Sequence, residues 1–281
     1  MKKTHAFPSL RSARWVAAPI SLAVLAACGG SDGDDPPPQP VVKHVVNGQV
    51  AVGALVSGAT VSITCANGGS GSAAQSGSNG NFEVTLNEGS TLPCVAEAKL
   101  PGSSNVLRSV IPGGTPAITR INFSPLTDAY VSYLLGSTNK GQAVDPKTLI
   151  TGSSNLFTML LNSRQGFNNT KAGFETYITG NTGISLSGFD FLSSNIVVGQ
   201  PSDNALEALR NVMVPSDPSD PTSPLVPFLN PDGSVSSAGG ATVNFDAPVV
   251  TQADIPACSA PGNSCGGSAG REVVITGGSG T

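Results

Sequence analysis

From Val41 to Phe123, apolar residues recur at every second position in short runs broken by Gly, Ser and Asn. That period is the signature of half-buried β-strands. Val45-Val46-Asn47-Gly48-Gln49-Val50 leads to Ala59-Thr60-Val61-Ser62-Ile63-Thr64-Cys65, where Val61 and Ile63 share one face and Ser62 and Thr64 the other. Asn79-Gly80 tolerates the positive backbone angles of a tight turn, and Phe82 to Leu86 alternates after it. Cys94 to Ala98, Asn105 to Val110 and Ala117 to Phe123 are further strand candidates. Six or seven short strands with turns between them predict a β-sandwich.

At Ser124 the period changes from two to that of a helix. Ser124 suits the N-cap and Pro125 the first helical position, and Leu126, Ala129, Tyr130, Tyr133 and Leu134 recur on one face until Gly136. Asp145-Pro146 marks a second start, and Leu156 to Leu161, Lys171 to Ile178 and Ala205 to Met213 predict further helices. The last is opened by Asn204 with Glu207 three positions on. These apolar stripes are expected to pack on each other or on the sandwich. Beyond them, Val214 to Pro224 reads as a stiff connector, followed by strand candidates at Thr242 to Phe245 and Glu272 to Thr276.

The N-terminal pattern differs from all of this. Lys2, Lys3, Arg11 and Arg14 precede or flank the uncharged apolar run Trp15 to Val24, which is too short for a bilayer span and is interrupted by Pro19. A signal peptide is the reading that fits. After it, Gly29 to Pro40 is polar, Pro-rich and unable to build a core, as a tether would be.

The expected organisation is a leader over 1–27, a tether over 28–43, a β-sandwich over 44–123 and a helical region over 124–214. A connector with a C-terminal strand and disulfide-loop extension follows over 215–281. The fold class is α+β: a sandwich of Ig-like or transthyretin-like kind, then helices, then an irregular Pro/Gly-rich extension.

Two resemblances refine this. Leu25-Ala26-Ala27-Cys28-Gly29 resembles the lipobox of bacterial lipoproteins. It implies cleavage before Cys28 and lipidation of that cysteine, with several acyl chains giving stable attachment to a membrane. Gly29, in place of Asp, implies the outer membrane of a Gram-negative bacterium. Gly48-Gln49-Val50, Val56 to Ile63 and Asn79 to Phe82 together resemble the carboxypeptidase regulatory-like modules, about 80 residues with a transthyretin-like sandwich. In that family the module is non-catalytic; Cys65 and Cys94 depart from its usual pattern. The wider combination of sandwich, Ser-Pro-Leu-Thr helix start and helices is similar to uncharacterised Gram-negative lipoproteins.

Composition narrows the partners. The whole chain carries 14 basic and 18 acidic residues, a net charge of −4, and removing the leader takes away four of the cations. An acidic body with no basic stripe argues against nucleic acid as a partner. The single Trp, Trp15, lies in the leader, and aromatic residues are only 5% of the chain, so stacking platforms for sugars are scarce. With Cys28 committed to lipid, Cys65, Cys94, Cys258 and Cys265 remain, an even number suited to an oxidising compartment. Three pairings are open; sequence order favours Cys65 with Cys94 and Cys258 with Cys265.

Catalytic chemistry finds little purchase. His44 is the one histidine after the leader, and it reads as a surface residue near the tether. Gly262-Asn263-Ser264-Cys265-Gly266 matches the nucleophile elbow G-x-S-x-G but lacks the preceding strand, following helix and later histidine. Gly69-Ser70-Gly71 and Gly77 to Gly80 sit in loops that precede no helix, which argues against phosphate cradling. Lys43, Glu97 and Asn122 are weighed as an isopeptide trio against three solvated side chains, and the solvated reading is favoured. No metal site, cofactor or catalytic residue is assigned. The expectation is a non-catalytic envelope lipoprotein whose sandwich serves protein or glycan interaction or envelope structure; the alternative is an envelope hydrolase using carboxylates of the helical region.

Overall fold

The computed structural model describes residues 43–114, 118–139, 144–152, 154–212 and 250–255. Their architecture is α+β. Strands β1 (Val45–Gln49), β2 (Thr60–Cys65), β3 (Ser70–Gln75), β4 (Asn81–Thr85), β5 (Cys94–Lys99), β6 (Val106–Ile111) and β7 (Ile118–Arg120) come first. Helices α1 (Pro125–Thr138), α2 (Pro146–Ile150), α3 (Leu156–Asn162), α4 (Arg164–Thr182) and α5 (Pro201–Val212) follow.

The strands form two sheets, one of order β4-β1-β7 and one of order β3-β2-β5-β6. All pairs are antiparallel except β1 with β7. Alternation decides which side chains meet: Val46 and Val50 from β1 and its extension, Phe82 and Val84 from β4, and Val61 and Ile63 from β2 join one buried cluster with Ala96, Ala98, Leu107, Ile111 and Phe123. Phe82 and Phe123 meet in this cluster with ring centroids 5.1 Å apart. Burial of such a ring contributes about 2–3 kcal/mol.

Strand β5 is buried on both faces because its second face meets helices. Val95 of β5 and Val110 of β6 turn away from the intersheet cluster and join the core of the helical layer. Helix α1 explains this arrangement. Every residue from Pro125 to Ser137 is buried, so it is the central element of the layer, with β6 on one side and α3 and α4 on others. Ser124 caps it as expected: its Oγ accepts from Thr127 N at 3.2 Å, and Thr127 Oγ1 accepts from Ser124 N at 2.9 Å. Asp145 and Asn155 cap α2 and α3 in the same way, through bonds from Lys147 N and Thr158 N.

Three expectations need correction. Ser70 and Gly71 are not loop residues; they begin β3, an edge strand of Ser, Gly and Ala that carries no apolar alternation. Gly71 lies there because a Cβ would run into Val84 Cγ1 of the facing sheet. Helix α5 starts at Pro201, not after Asn204, whose N–H already donates to Gln200 O at 2.9 Å. Proline suits the first helical turn, where its missing N–H costs nothing. Helix α4 runs from Arg164 to Thr182, well beyond the apolar stripe that predicted only its middle. Ser163 caps it and Gly183, in the left-handed conformation, ends it. The strand candidates at 242–245 and 272–276 lie outside the described residues.

Candidate functional site

Cys65 and Cys94 face each other across β2 and β5 and form a disulfide with a Cα separation of 3.9 Å. Both are fully buried. Cys28, Cys258, Cys265 and the Gly262 to Gly266 motif lie outside the described residues.

The isopeptide trio does not assemble, and neither is it three solvated side chains. Asn122 is 1% exposed; its Nδ2 donates to Ser194 O at 2.6 Å and its Oδ1 accepts from Gln49 N at 3.2 Å. Lys43 precedes Gln49 by six positions of extended chain, roughly 20 Å. Glu97 accepts instead from Lys147 Nζ at 2.9 Å. His44 is half-buried, with its Nδ1 buried and without a hydrogen-bond partner.

Three carboxylates of the helical region, Asp128, Glu175 and Asp190, are engaged with cations. Asp128 accepts from Arg108 Nε at 2.6 Å and also from Arg108 N at 3.1 Å, while Arg108 Nη2 donates to Ser132 Oγ at 2.9 Å. Burial opposes the Arg108 charge, but Asp128 outweighs it and the guanidinium pKa ends above its ordinary value. Glu175 and Asp190 both sit 3.3 Å from Lys171 Nζ, which lies over the Phe191 ring. Among the described residues, no group of three or more His, Cys, Asp or Glu comes together to hold a metal.

A different constellation stands at the far end of β1. Gln49, buried on the outer face of the three-stranded sheet, accepts at Oε1 from Ile196 N at 2.8 Å and from Arg120 Nη2 at 3.0 Å. Asn122 N donates to Leu192 O at 2.7 Å, so two amide side chains and one backbone bond stitch the segment 190–196 to β1 and β7. The next residues form a turn: Gln200 N donates to Val197 O at 3.0 Å, with Gly199 at φ 76° in its third position. Asp203 Oδ2 accepts from Gly199 N at 2.9 Å, and Ser202 Oγ donates to Asn195 O at 2.8 Å. These bonds fix the turn from both flanks. Its side chains Val197 and Val198 are 49% and 84% exposed, the most exposed large apolar residues among those described.

The turn chemistry explains Gly199 but not the valines, since the second position of such a turn favours Pro or polar residues. Two shallow grooves are also open to solvent. One is lined by Glu175, Thr176, Thr179, Ser185 and Ser187, the other by Thr60, Lys99 and the 101–104 turn. The Gln49, Arg120 and Asn122 cluster was invisible in sequence because its members are 71 to 147 positions from their partners. Val197-Val198 before Gly199-Gln200-Pro201 did carry a local signal, an apolar pair at a turn. No family model matches this chain, and no curated protein or solved structure matches it either.

Proposed function

We propose that this chain is a lipid-anchored, non-catalytic protein of a Gram-negative outer membrane that presents a transthyretin-like sandwich and its helical layer to a protein partner. Support for the address comes from the basic leader, the apolar run and the lipobox-like Leu25 to Gly29. The sandwich reading is supported by two sheets, β4-β1-β7 and β3-β2-β5-β6, that share one apolar cluster. The observation that carries the partner is the Val197–Val198 turn, which is held rigid yet exposes two aliphatic side chains. Aliphatic surface of this kind suits a protein better than a glycan.

A hydrolase is the competing reading. It has less support, because Asp128, Glu175 and Asp190 are each bonded to Arg108 or Lys171, and the described lining of the groove beside Glu175 brings no second carboxylate to it. A photo-crosslinker placed at Val198 in intact cells tests the proposal. A discrete protein adduct is expected from Val198 and not from exposed Thr85 on β4. Identical, diffuse capture from both positions would remove the specific partner.

A further inference from the structure

Among the described residues, strand β7 is the outer strand of its sheet, paired with β1 on one side. Alternate residues of a parallel strand turn their N–H and C=O towards the partner. Ile121 and Phe123 do so, donating to Asn47 O and Gln49 O at 2.8 Å each. Arg120, one position out of phase, therefore turns its main-chain polar groups outwards. Asn122, next in that phase, gives its N–H to Leu192 O. Among the described residues the outward N–H and C=O of Arg120 meet no backbone partner.

The Arg120 side chain is in a similar position. It shares the outer face of the sheet with Asn47, its register partner, and with Gln49. Its Nη2 has only the neutral Gln49 oxygen, and its Nε is buried without a hydrogen bond. Glu83 lies in the same cross-strand row, on the far side of β1. Two strand spacings, about 10 Å, separate their backbones. Leaving a guanidinium partly out of water without a carboxylate is unfavourable, and a bidentate carboxylate would relieve it. The same Gln49 oxygen holds Ile196 N, and Val197 and Val198 are the next residues along the chain from it.

We infer that the β7 edge, Arg120 and the Val197–Val198 turn form one docking strip for an extended segment of a partner protein in which acidic and apolar residues alternate. The segment pairs with the outward main-chain groups of Arg120, places a carboxylate on its guanidinium and packs aliphatic side chains on Val198. This rests on the protein-partner reading above, and charge complementarity selects the sign of the partner. The chain's own Asp32, Asp34 and Asp35 are the competing source of carboxylate.

The test uses the chain from residue 28 onward with Cys28→Ser, titrated with a short synthetic peptide of alternating Glu and Val and with its Lys/Val counterpart. Binding of the Glu/Val peptide alone is expected, weakening with salt. Arg120→Gln should reduce affinity about tenfold, as loss of a charge-assisted contact does, and Arg120→Lys should restore part of it. Val198→Ser should weaken binding as well. Absence of binding, equal binding of both peptides, or an Arg120→Gln protein that binds like the parent would overturn the strip. Should Arg120→Gln fail to fold, Arg120→Lys and the salt dependence still decide. Replacing Asp32, Asp34 and Asp35 by Asn should leave the affinity unchanged; a severalfold gain would assign the strip to the tether instead. Capture of a partner through Val198 without binding of the acidic peptide would leave the proposed function standing and remove only this strip.

Discussion

Arg108 on β6 and Asp128 on α1 meet at 2.6 Å across the seam between the four-stranded sheet and the helical layer, with side chains 12% and 4% exposed. Glu97, the cross-strand partner of Arg108, reaches in turn to Lys147 on α2, so charges of alternating sign cross the whole seam. Removing one member strands its partner. Asp128→Ala, which leaves Arg108 without its carboxylate, should lower stability by about 3–5 kcal/mol. Pairing Arg108→Met with Asp128→Leu should cost much less. Urea denaturation of the two variants checks this; equal losses would mean that the pair is not coupled.

That seam also marks how far the sequence could be read. Strand alternation in β2 and β4, the Ser124 cap and the Asp145 start are local signals, and the structure has each of them where its residues predict. Strand β3 escaped because Ser, Gly and Ala give no apolar period, and its place is set by what it must approach: Val84 leaves no room for a Cβ at Gly71. Gly48 is similar, since a Cβ there would overlap Ile121 O of the neighbouring strand. The Arg108–Asp128 pair and the Gln49-centred stitch are contacts between distant segments, and no spacing rule anticipates them. The all-round burial of α1 was hidden because Thr127, Asp128 and Ser132 look solvent-facing until their bonding partners are known.

The Cys65–Cys94 bridge closes a loop with a sequence separation of 29 between fully buried positions. Restricting the unfolded chain by a loop of this size is worth about 3 kcal/mol. The double variant Cys65→Ala and Cys94→Ala should therefore lose about 3 kcal/mol of stability and unfold at a correspondingly lower urea concentration. Because neither sulfur is accessible, dithiothreitol should have little effect on the folded protein and should act only as denaturant opens it. Thiol labelling along a urea gradient reads this directly. Rapid labelling in the absence of urea would contradict the burial of the bridge.

Tyr130 and Tyr133 anchor the aromatic centre of the helical layer, each packed on Phe174 with centroids 5.2 and 5.4 Å away. Burial pushes the Tyr133 phenol from 10 up to about 12 and raises Tyr130 well above its ordinary value. The neutral form is thus favoured in the folded state. Below the unfolded pKa near 10 this contribution is complete, and it is lost as pH rises from there through the folded pKa of about 12. Melting temperature should hold steady up to pH 10 and fall steeply above it. Tyr133→Phe should soften the fall, and phenolate absorbance should appear together with unfolding, not before it.

On the proposed reading, the body is attached through lipid on Cys28. No helix among the described residues is long and apolar enough to cross a membrane. The acidic charge balance gives no electrostatic hold on anionic lipid either. On the proposed reading, Cys28→Ser should abolish lipid labelling and move the protein from the membrane fraction to the soluble fraction. Its fold should be unaffected, because the tether ends where β1 begins and the Cys65–Cys94 bridge lies within the body. Metabolic labelling with palmitate, fractionation and a thermal melt of the released protein check the three parts separately. A Cys28→Ser protein that remains in the membrane fraction after leader removal would mean that another segment anchors it, and the lipobox reading would fall.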